Sequence, residues 1–399
     1  MRIKTFKYEK WNKHQIYIFG AGHDGKIIAM ELEKKGVTDY LFIDNNLNNQ
    51  LDNCVQLHEV EKEQNINILL GSAKYMMEMY EEVMAHYKHY NIFTCEDLYI
   101  SGIRDVHNHI LEDVYSFFAY RSEKIKFLAN ISEKGWYLPH LDVVVTEYCS
   151  LKCEGCCSLM PLYNNPKNSK REICLEALDN LFKTNCYIGN VNFIGGEPLI
   201  NQKLIKELLD RYSKNEHIGA FQIITNGTIV PDDELIAAID CSNLYFIFSN
   251  YGALSRNQEE AVCKLERNNI IAGVEQKSDL NVENNTLWVD YGEVKDWKHE
   301  DDVVKKMYDM CMDGKTCTTL INGMLCVCSR IAHAINLGLI SKELKGNYVS
   351  LLNDDINKYS VDCIRERCKE LINQKQYPSG CQYCNKIERV PIERGKQKK

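Results

Sequence analysis

No uninterrupted apolar stretch of this 399-residue chain approaches the ~20 residues that a membrane-spanning helix needs. Its opening residues carry two lysines and an arginine and no apolar signal-peptide core, so the chain is expected to work in the cytoplasm with no membrane partner. Positive charge is in short supply too. A formal net charge of -8 argues against general nucleic-acid affinity, and the basic end around Arg394 is expected to be a short solvated terminus. Hydrophobic content of 45% and charged content of 26% are ordinary for a soluble globular protein, and the length allows two or three domains with their own cores. Cysteine, in contrast, is abundant. Eighteen cysteines in a reducing compartment point to metal ligation rather than disulfides, and they gather at 149–157, 311–328 and 363–384. The scattered Cys54, Cys95, Cys174, Cys186, Cys241 and Cys263 read as small core residues.

Cys149, Cys153 and Cys156 form a CxxxCxxC spacing just after an apolar run. Intervals this short let one loop wrap three thiolates around one metal centre, and thiolate is the ligand that iron–sulfur clusters prefer. Three ligands on a cubane leave one iron open to a small molecule. A zinc knuckle or three unrelated core thiols are the plain alternatives, although zinc sites usually take four protein ligands. Downstream, an apolar run ends in Gly195-Gly196-Glu197-Pro198, where glycines admit close backbone approach to a ligand and a carboxylate can hold an ammonium group. Another run ends in Thr225-Asn226-Gly227, and a further one in Ser249-Asn250-Tyr251-Gly252.

In this order the four segments resemble the radical S-adenosylmethionine (radical SAM) enzymes. The resemblance implies a [4Fe–4S] cluster on Cys149, Cys153 and Cys156, with S-adenosylmethionine chelated by its open iron. It assigns Glu197 to the methionine amino group, Ser249 to the ribose or the carboxylate, and Gly195, Gly196, Pro198, Thr225, Asn226 and Asn250 to the cofactor surroundings. Family members often carry an aromatic residue against adenine just before the third cysteine. This chain has Gly155 there, followed by Cys156 and a spare Cys157, so the apolar contact must come from elsewhere, with Tyr148 or Ile194 as candidates.

The fold class is α/β in three regions, residues 1–105, a core over 139–304 and a cysteine-rich extension over 305–399, with a linker helix over 106–138 between the first two. In the first, the strand ending at Phe19 runs into Gly20-x-Gly22-x-x-Gly25 and a helix, and a second strand ends at Asp44, 19 residues beyond Gly25. That is the fingerprint of a Rossmann-like βαβ unit. Its glycines admit a phosphate at a helix N-terminus, and Asp44 sits where a ribose hydroxyl would bond. The unit resembles the small domain of nucleotide-sugar proteins, so a nucleotide or nucleotide-sugar is the expected ligand, with a ligand-free scaffold as the alternative. His107 and His109 read as ordinary linker histidines rather than a metal pair.

In the core region, strands at 142–146, 191–194, 221–225, 244–249 and 270–274 alternate with helical patterns, which predicts a parallel sheet with helices outside. Ligands of barrel-like α/β folds bind at the C-terminal strand ends. Cys149, Gly195, Thr225 and Ser249 all lie there, and the resemblance implies a partial (β/α)6 barrel. In the third region, Cys311, an eleven-residue spacer, Gly323, four residues, Cys328 and then Cys381-x-x-Cys384 resemble the SPASM and twitch extensions of the same family. The twitch form implies a second, auxiliary [4Fe–4S] cluster on Cys311, Cys328, Cys381 and Cys384. Cys317 and Cys326 stay open as substitutes, as does a zinc site; Cys363 and Cys368 read as packing residues near that cluster.

The resemblance implies an oxidoreductase. An electron donor of flavodoxin or ferredoxin type reduces the first cluster, S-adenosylmethionine yields a 5′-deoxyadenosyl radical, and a hydrogen leaves a small-molecule substrate. The N-terminal unit favours a sugar, cyclitol or nucleotide-linked molecule, oxidised or epimerised, in polysaccharide biosynthesis for example. Peptide or protein maturation ranks second, and an iron–sulfur redox sensor third. Tyr251, Asp290 and Arg330 are the polar candidates for a proton acceptor.

Overall fold

The computed structural model describes the chain apart from residues 1–2, 46–50, 61–65, 73–74, 87–90, 107–121, 123–124, 129–130, 132–134, 240–242, 275–287, 312, 375, 386–389 and 399. His107, His109, Cys241 and most of the expected linker helix lie outside the described residues. Two compact units emerge, Met1–Ser132 and Glu133–Lys399.

The first unit is a parallel sheet of six strands: β1 (Lys4–Thr5), β2 (Ile16–Phe19), β3 (Tyr40–Ile43), β4 (Cys54–Val55), β5 (Asn67–Leu70) and β6 (Asn91–Thr94). Their order is β1-β6-β5-β2-β3-β4, so the chain leaves β2 in one direction for β3 and β4 and returns on its other side for β5 and β6. Strand β2 is buried throughout, as a central parallel strand must be. The helix His23–Lys34 starts directly behind it and packs on Glu96–Val106. Strands β1 and β4 are two-residue edges, too short for any sequence pattern to mark.

The second unit holds β7 (Trp136–Thr146), β8 (Cys186–Gly195), β9 (Ile218–Thr225), β10 (Leu244–Phe248), β11 (Ile271–Val274), β12 (Trp288–Val289), β13 (Thr319–Ile321), β14 (Met324–Cys326), β15 (Tyr348–Ser350) and β16 (Pro391–Ile392). Eight of these make one sheet, in the order β11-β10-β9-β8-β7-β13-β14-β15. Strands β7 to β11 lie parallel in chain sequence, with the helices Arg171–Lys183, Gln202–Tyr212, Asp233–Ala237 and Gln258–Arg267 between them. A sixth parallel strand, β13, comes from the cysteine-rich region and pairs with the other side of β7; β14 and β15 then continue antiparallel. The small sheet β12–β16 stands apart from it. No described helix is long and apolar enough to cross a membrane.

Alternation gives the large sheet two unlike faces. Leu141, Val143, Phe193, Ile223, Phe246 and Leu265 belong to one core in which sheet and helices meet, each large side chain contributing about 1.5–3 kcal/mol by burial. The other face carries a polar band across its middle. Register places His140 beside Asn190, Asp142 beside Asn192, and Gln222 between Asn192 and Tyr245. Asn192 Nδ2 donates to Asp142 Oδ1 at 2.8 Å, and Tyr245 Oη to Asn190 Oδ1 at 3.3 Å. Those polar residues are why β7 and β8 run longer than their apolar segments predict.

Candidate functional site

Four strand ends are tied to one another by hydrogen bonds. Behind β7, Tyr148 O accepts from Glu197 N at 2.8 Å, and Thr146 O from Gly196 N at 3.1 Å. Behind β8, the Glu197 carboxylate accepts from Thr225 Oγ1 at 2.8 Å, Asn226 N at 2.8 Å and Leu199 N at 3.1 Å. Behind β9, Thr225 O accepts from Ser249 N at 2.8 Å, and Asn226 Nδ2 reaches Ser150 Oγ at 3.1 Å and Cys149 Sγ at 3.8 Å. Cys149, Glu197, Thr225, Asn226 and Ser249 thus share one neighbourhood at the C-terminal edge of the parallel strands. Asn250 turns away to accept from Gly252 N, and Pro198 opens the short helix Pro198–Asn201.

The paired glycines have a reason that the sequence did not show. A Cβ on Gly195 would collide with Thr146 O; one on Gly196 would collide with Tyr148 O and lie 2.6 Å from Cys149 Cβ. They make room for the cysteine loop itself, where close approach to a ligand was expected. Glu197 is wholly buried, and burial pushes its carboxyl up to about 7. A carboxylate offers about four lone-pair sites, and protein donors fill three of them.

Burial also pushes the Cys149 thiol up to about 12 and raises Cys153 and Cys156. A metal centre must therefore displace protons from these sulfurs on binding. Three thiols on one loop fit a cubane with one open iron. Among the described residues no three cysteine, histidine or carboxylate side chains are gathered tightly enough for a single bare ion. Tyr148 is 42% exposed, and at Gly155 (φ +65°) the place of a side chain is taken by Ile392 of β16.

The second thiol group shares one largely apolar cavity. Cys311, Cys328, Cys381 and Cys384 all line it, together with Cys157, Tyr291 and Arg330. Cys328 caps the helix Ser329–Asn336, its Sγ accepting from Ile331 N at 3.5 Å, and Cys311 Sγ accepts from Gly314 N at 3.3 Å. Four thiols around a pocket fit a cluster with a full protein ligand set, although burial pushes the Cys328 thiol well above its ordinary value against the pull of the bond from Ile331 N, so a metal centre must displace its proton. Cys326 is buried within β14, and neither it nor Cys317, Cys363 or Cys368 lines the cavity. The spare Cys157 follows the last expected ligand of one site and lines the cavity of the other. Arg330 is buried, donates to Gly292 O at 2.5 Å and lies within electrostatic reach of Cys156 and Cys157.

Other expectations need correcting. Cys95, Cys174 and Cys186 are core residues, but Cys263 is exposed and Cys54 half-buried. Arg330 is a structural cation, exposed Asp290 binds its own turn through Gly292 N, and burial pushes the Tyr251 phenol up to about 12, so none suits a proton acceptor.

In the first unit, Gly20 (φ +108°) and Gly25 are forced, since a Cβ on Gly25 would meet Gly20 O. Gly22 has nothing within 4 Å of its Cβ position. Asp44 Oδ2 accepts from Ala21 N at 2.9 Å and so braces the glycine loop.

Residues 141–259 match the family model described as a 4Fe-4S single cluster domain. The chain is similar to the GTP 3′,8-cyclase of Clostridium acetobutylicum, 30% identical over 103 residues, which are 25% of this chain and 31% of that protein. It is also similar to the radical SAM cyclopropyl synthase TigE of Paramaledivibacter caminithermalis, 24% identical over 164 residues, 35% of this chain and 34% of that one. The chain spans about a third of the length of these relatives. A solved structure of native anSMEcpe with bound AdoMet and Kp18Cys peptide aligns at 12% identity and a TM-score of 0.37, covering 66% of this chain and 93% of that one. BtrN in complex with AdoMet and 2-DOIA aligns at 13% and 0.36, covering 65% and 98%. Scores this low decide nothing about substrate. The family match and the curated relatives support a radical SAM iron–sulfur domain around the first cysteine loop.

Proposed function

We propose that the chain is a radical SAM oxidoreductase acting on a sugar, cyclitol or nucleotide-linked small molecule, with a second cluster as electron acceptor. The observation that carries this reading is the hydrogen-bonded convergence of Cys149, Glu197, Asn226 and Ser249 behind neighbouring parallel strands, beside a separate four-thiol cavity. When bound, the first cluster and S-adenosylmethionine supply reductive cleavage of a carbon–sulfur bond and a radical able to take a hydrogen atom. Cys149, Cys153 and Cys156 hold the cluster. The remaining acceptor site of Glu197 binds the methionine ammonium, and Ser249 bonds the ribose or the methionine carboxylate.

Cys311, Cys328, Cys381 and Cys384 would hold the second cluster, which when bound would supply an acceptor for the substrate's second electron and so a net dehydrogenation. A flavodoxin or ferredoxin would be the electron donor to the first. The polar sheet face of His140, Asp142, Asn190 and Asn192 suits a ligand rich in hydroxyl groups. A phosphate would meet the glycine loop at the start of His23–Lys34, where the strand order reverses at β2.

Anaerobic reconstitution with iron and sulfide, followed by dithionite and S-adenosylmethionine, tests the reading. About eight irons per chain, four for each [4Fe–4S] cluster, with 5′-deoxyadenosine formed, is the expected result. About four irons with one zinc would replace the second cluster and favour redox-neutral chemistry. No 5′-deoxyadenosine would turn the first loop into a structural or sensing site.

A further inference from the structure

Residues 391–398, whose basic part from Arg394 was expected as a solvated end, are packed against the first cysteine loop. Lys398 N donates to Lys152 O and Glu154 N to Lys396 O, each at 2.6 Å, with an antiparallel bridge between Cys153 and Gln397. Gly395 is buried at φ +75°, where a Cβ would lie 2.7 Å from the Tyr251 ring, and Arg394 lies over that ring at 5.2 Å. Ile392 occupies the space that a side chain at Gly155 would need. Two chain segments far apart in sequence have each given up a side chain to let this contact form.

The Gln397 amide sits at the centre of it. Its Oε1 accepts from Lys152 N at 2.7 Å, while Nε2 donates to Cys153 Sγ at 3.2 Å and to Gly395 O at 2.7 Å. The orientation is fixed by its partners. A flipped amide would set its NH2 against the Lys152 N–H and its oxygen against both the sulfur and the Gly395 carbonyl.

We propose that this segment is part of the first-cluster site, with Gln397 as a positioning residue whose amide N–H binds the Cys153 sulfur and raises the cluster's reduction potential. The proposal rests on the reading that Cys149, Cys153 and Cys156 hold a [4Fe–4S] cluster. One-electron reduction adds negative charge to the cluster and its sulfurs. A donor held on a ligand sulfur therefore stabilises the reduced form more than the oxidised one, and hydrogen bonds to sulfur are among the levers that set such potentials. The bond from Lys152 N keeps the donor aimed at the sulfur, so the loop and the segment set the potential together.

The test is an anaerobic redox titration of the full chain, followed by the EPR signal of the reduced cluster that changes when S-adenosylmethionine is added. Gln397→Leu, compared with wild type at measured iron content, should shift the midpoint to more negative potential. A tenfold fall in the reduced-to-oxidised ratio at fixed potential, about 59 mV for one electron, is the expected size. Gln397→Glu, which keeps the acceptor for Lys152 N but sets negative charge beside the sulfur, should shift it further. If the leucine variant loses its cluster, the glutamate variant decides. Unchanged midpoint and line shape in the deciding variant overturn the proposal. A wild-type chain with no signal responsive to S-adenosylmethionine overturns the underlying reading, and this proposal with it.

Discussion

Ser158 Oγ and Ser329 Oγ stand 3.0 Å apart, joining the loop that carries Cys156 and Cys157 to the helix that begins at Cys328. The two thiol groups are thus neighbours through a side-chain bond as well as through Cys157, which lines the second cavity. Single substitutions should separate their ligands. Cys328→Ala should lower iron by about half, four of eight atoms, and leave S-adenosylmethionine cleavage measurable. Cys157→Ala should retain all the iron. Iron analysis with EPR of both variants checks this, and loss of the second cluster in Cys157→Ala would make Cys157 a ligand.

The first unit offers a clean pair of glycine substitutions. Gly25→Ala drives a Cβ into Gly20 O and should cost about 1–3 kcal/mol. Gly22→Val enters open space at a helix N-cap and should cost about 1 kcal/mol or less while closing the approach to the glycine loop. If the loop holds a phosphate, a nucleotide-sugar protects wild-type residues 1–105 from proteolysis and fails to protect Gly22→Val. No protection of the wild type would leave this unit a scaffold.

Gly196→Ala tests the reason given for the paired glycines. The new methyl group collides with Tyr148 O and presses on Cys149, so the cysteine loop must move. A loss of about 1–3 kcal/mol in thermal or urea unfolding is expected, with lower iron after reconstitution. Full iron and an unchanged melting temperature would show that the loop does not rest on Gly196.

Asp142 makes a pH prediction. Burial pushes its carboxyl up to about 6, against the pull of the bond from Asn192. A folded pKa above the unfolded value means the folded state holds the proton more tightly. This contribution to stability is complete below about 3.8, the unfolded value, and is lost as pH rises through about 6. Asp142→Asn removes the buried charge, so the variant should gain stability relative to wild type between pH 5 and pH 8. Parallel melts at the two pH values measure it; an equal difference at both would place the carboxylate's cost elsewhere.

Much of this was legible because the chemistry lies in short segments of unusual composition. Cys149, Cys153 and Cys156, the glycines before Glu197, the end of β2 at Phe19 and the start of β10 at Leu244 could all be read along the chain. What could not be read depends on distant partners. Gly155 looks like a missing aromatic residue until Ile392 is seen in its place, and the basic end looks solvated until Gln397 meets Cys153. The reach of β7 back to Trp136 was hidden because Pro139 and His140 interrupt the apolar run, His140 lying with Asp142 on the face opposite Leu141 and Val143.

Strand β13 hydrogen-bonds to β7 through Thr319 beside Asp142 and Leu320 beside Val143. The strand that delivers the first cysteine loop thus has the cysteine-rich region as its neighbour in the sheet. Cutting the chain near residue 305 would strip β7 of that neighbour and leave a row of open amides and carbonyls on an apolar strand, a template for aggregation. The two cysteine regions should therefore melt in a single transition, and a shortened chain offered as the minimal radical domain should precipitate rather than fold.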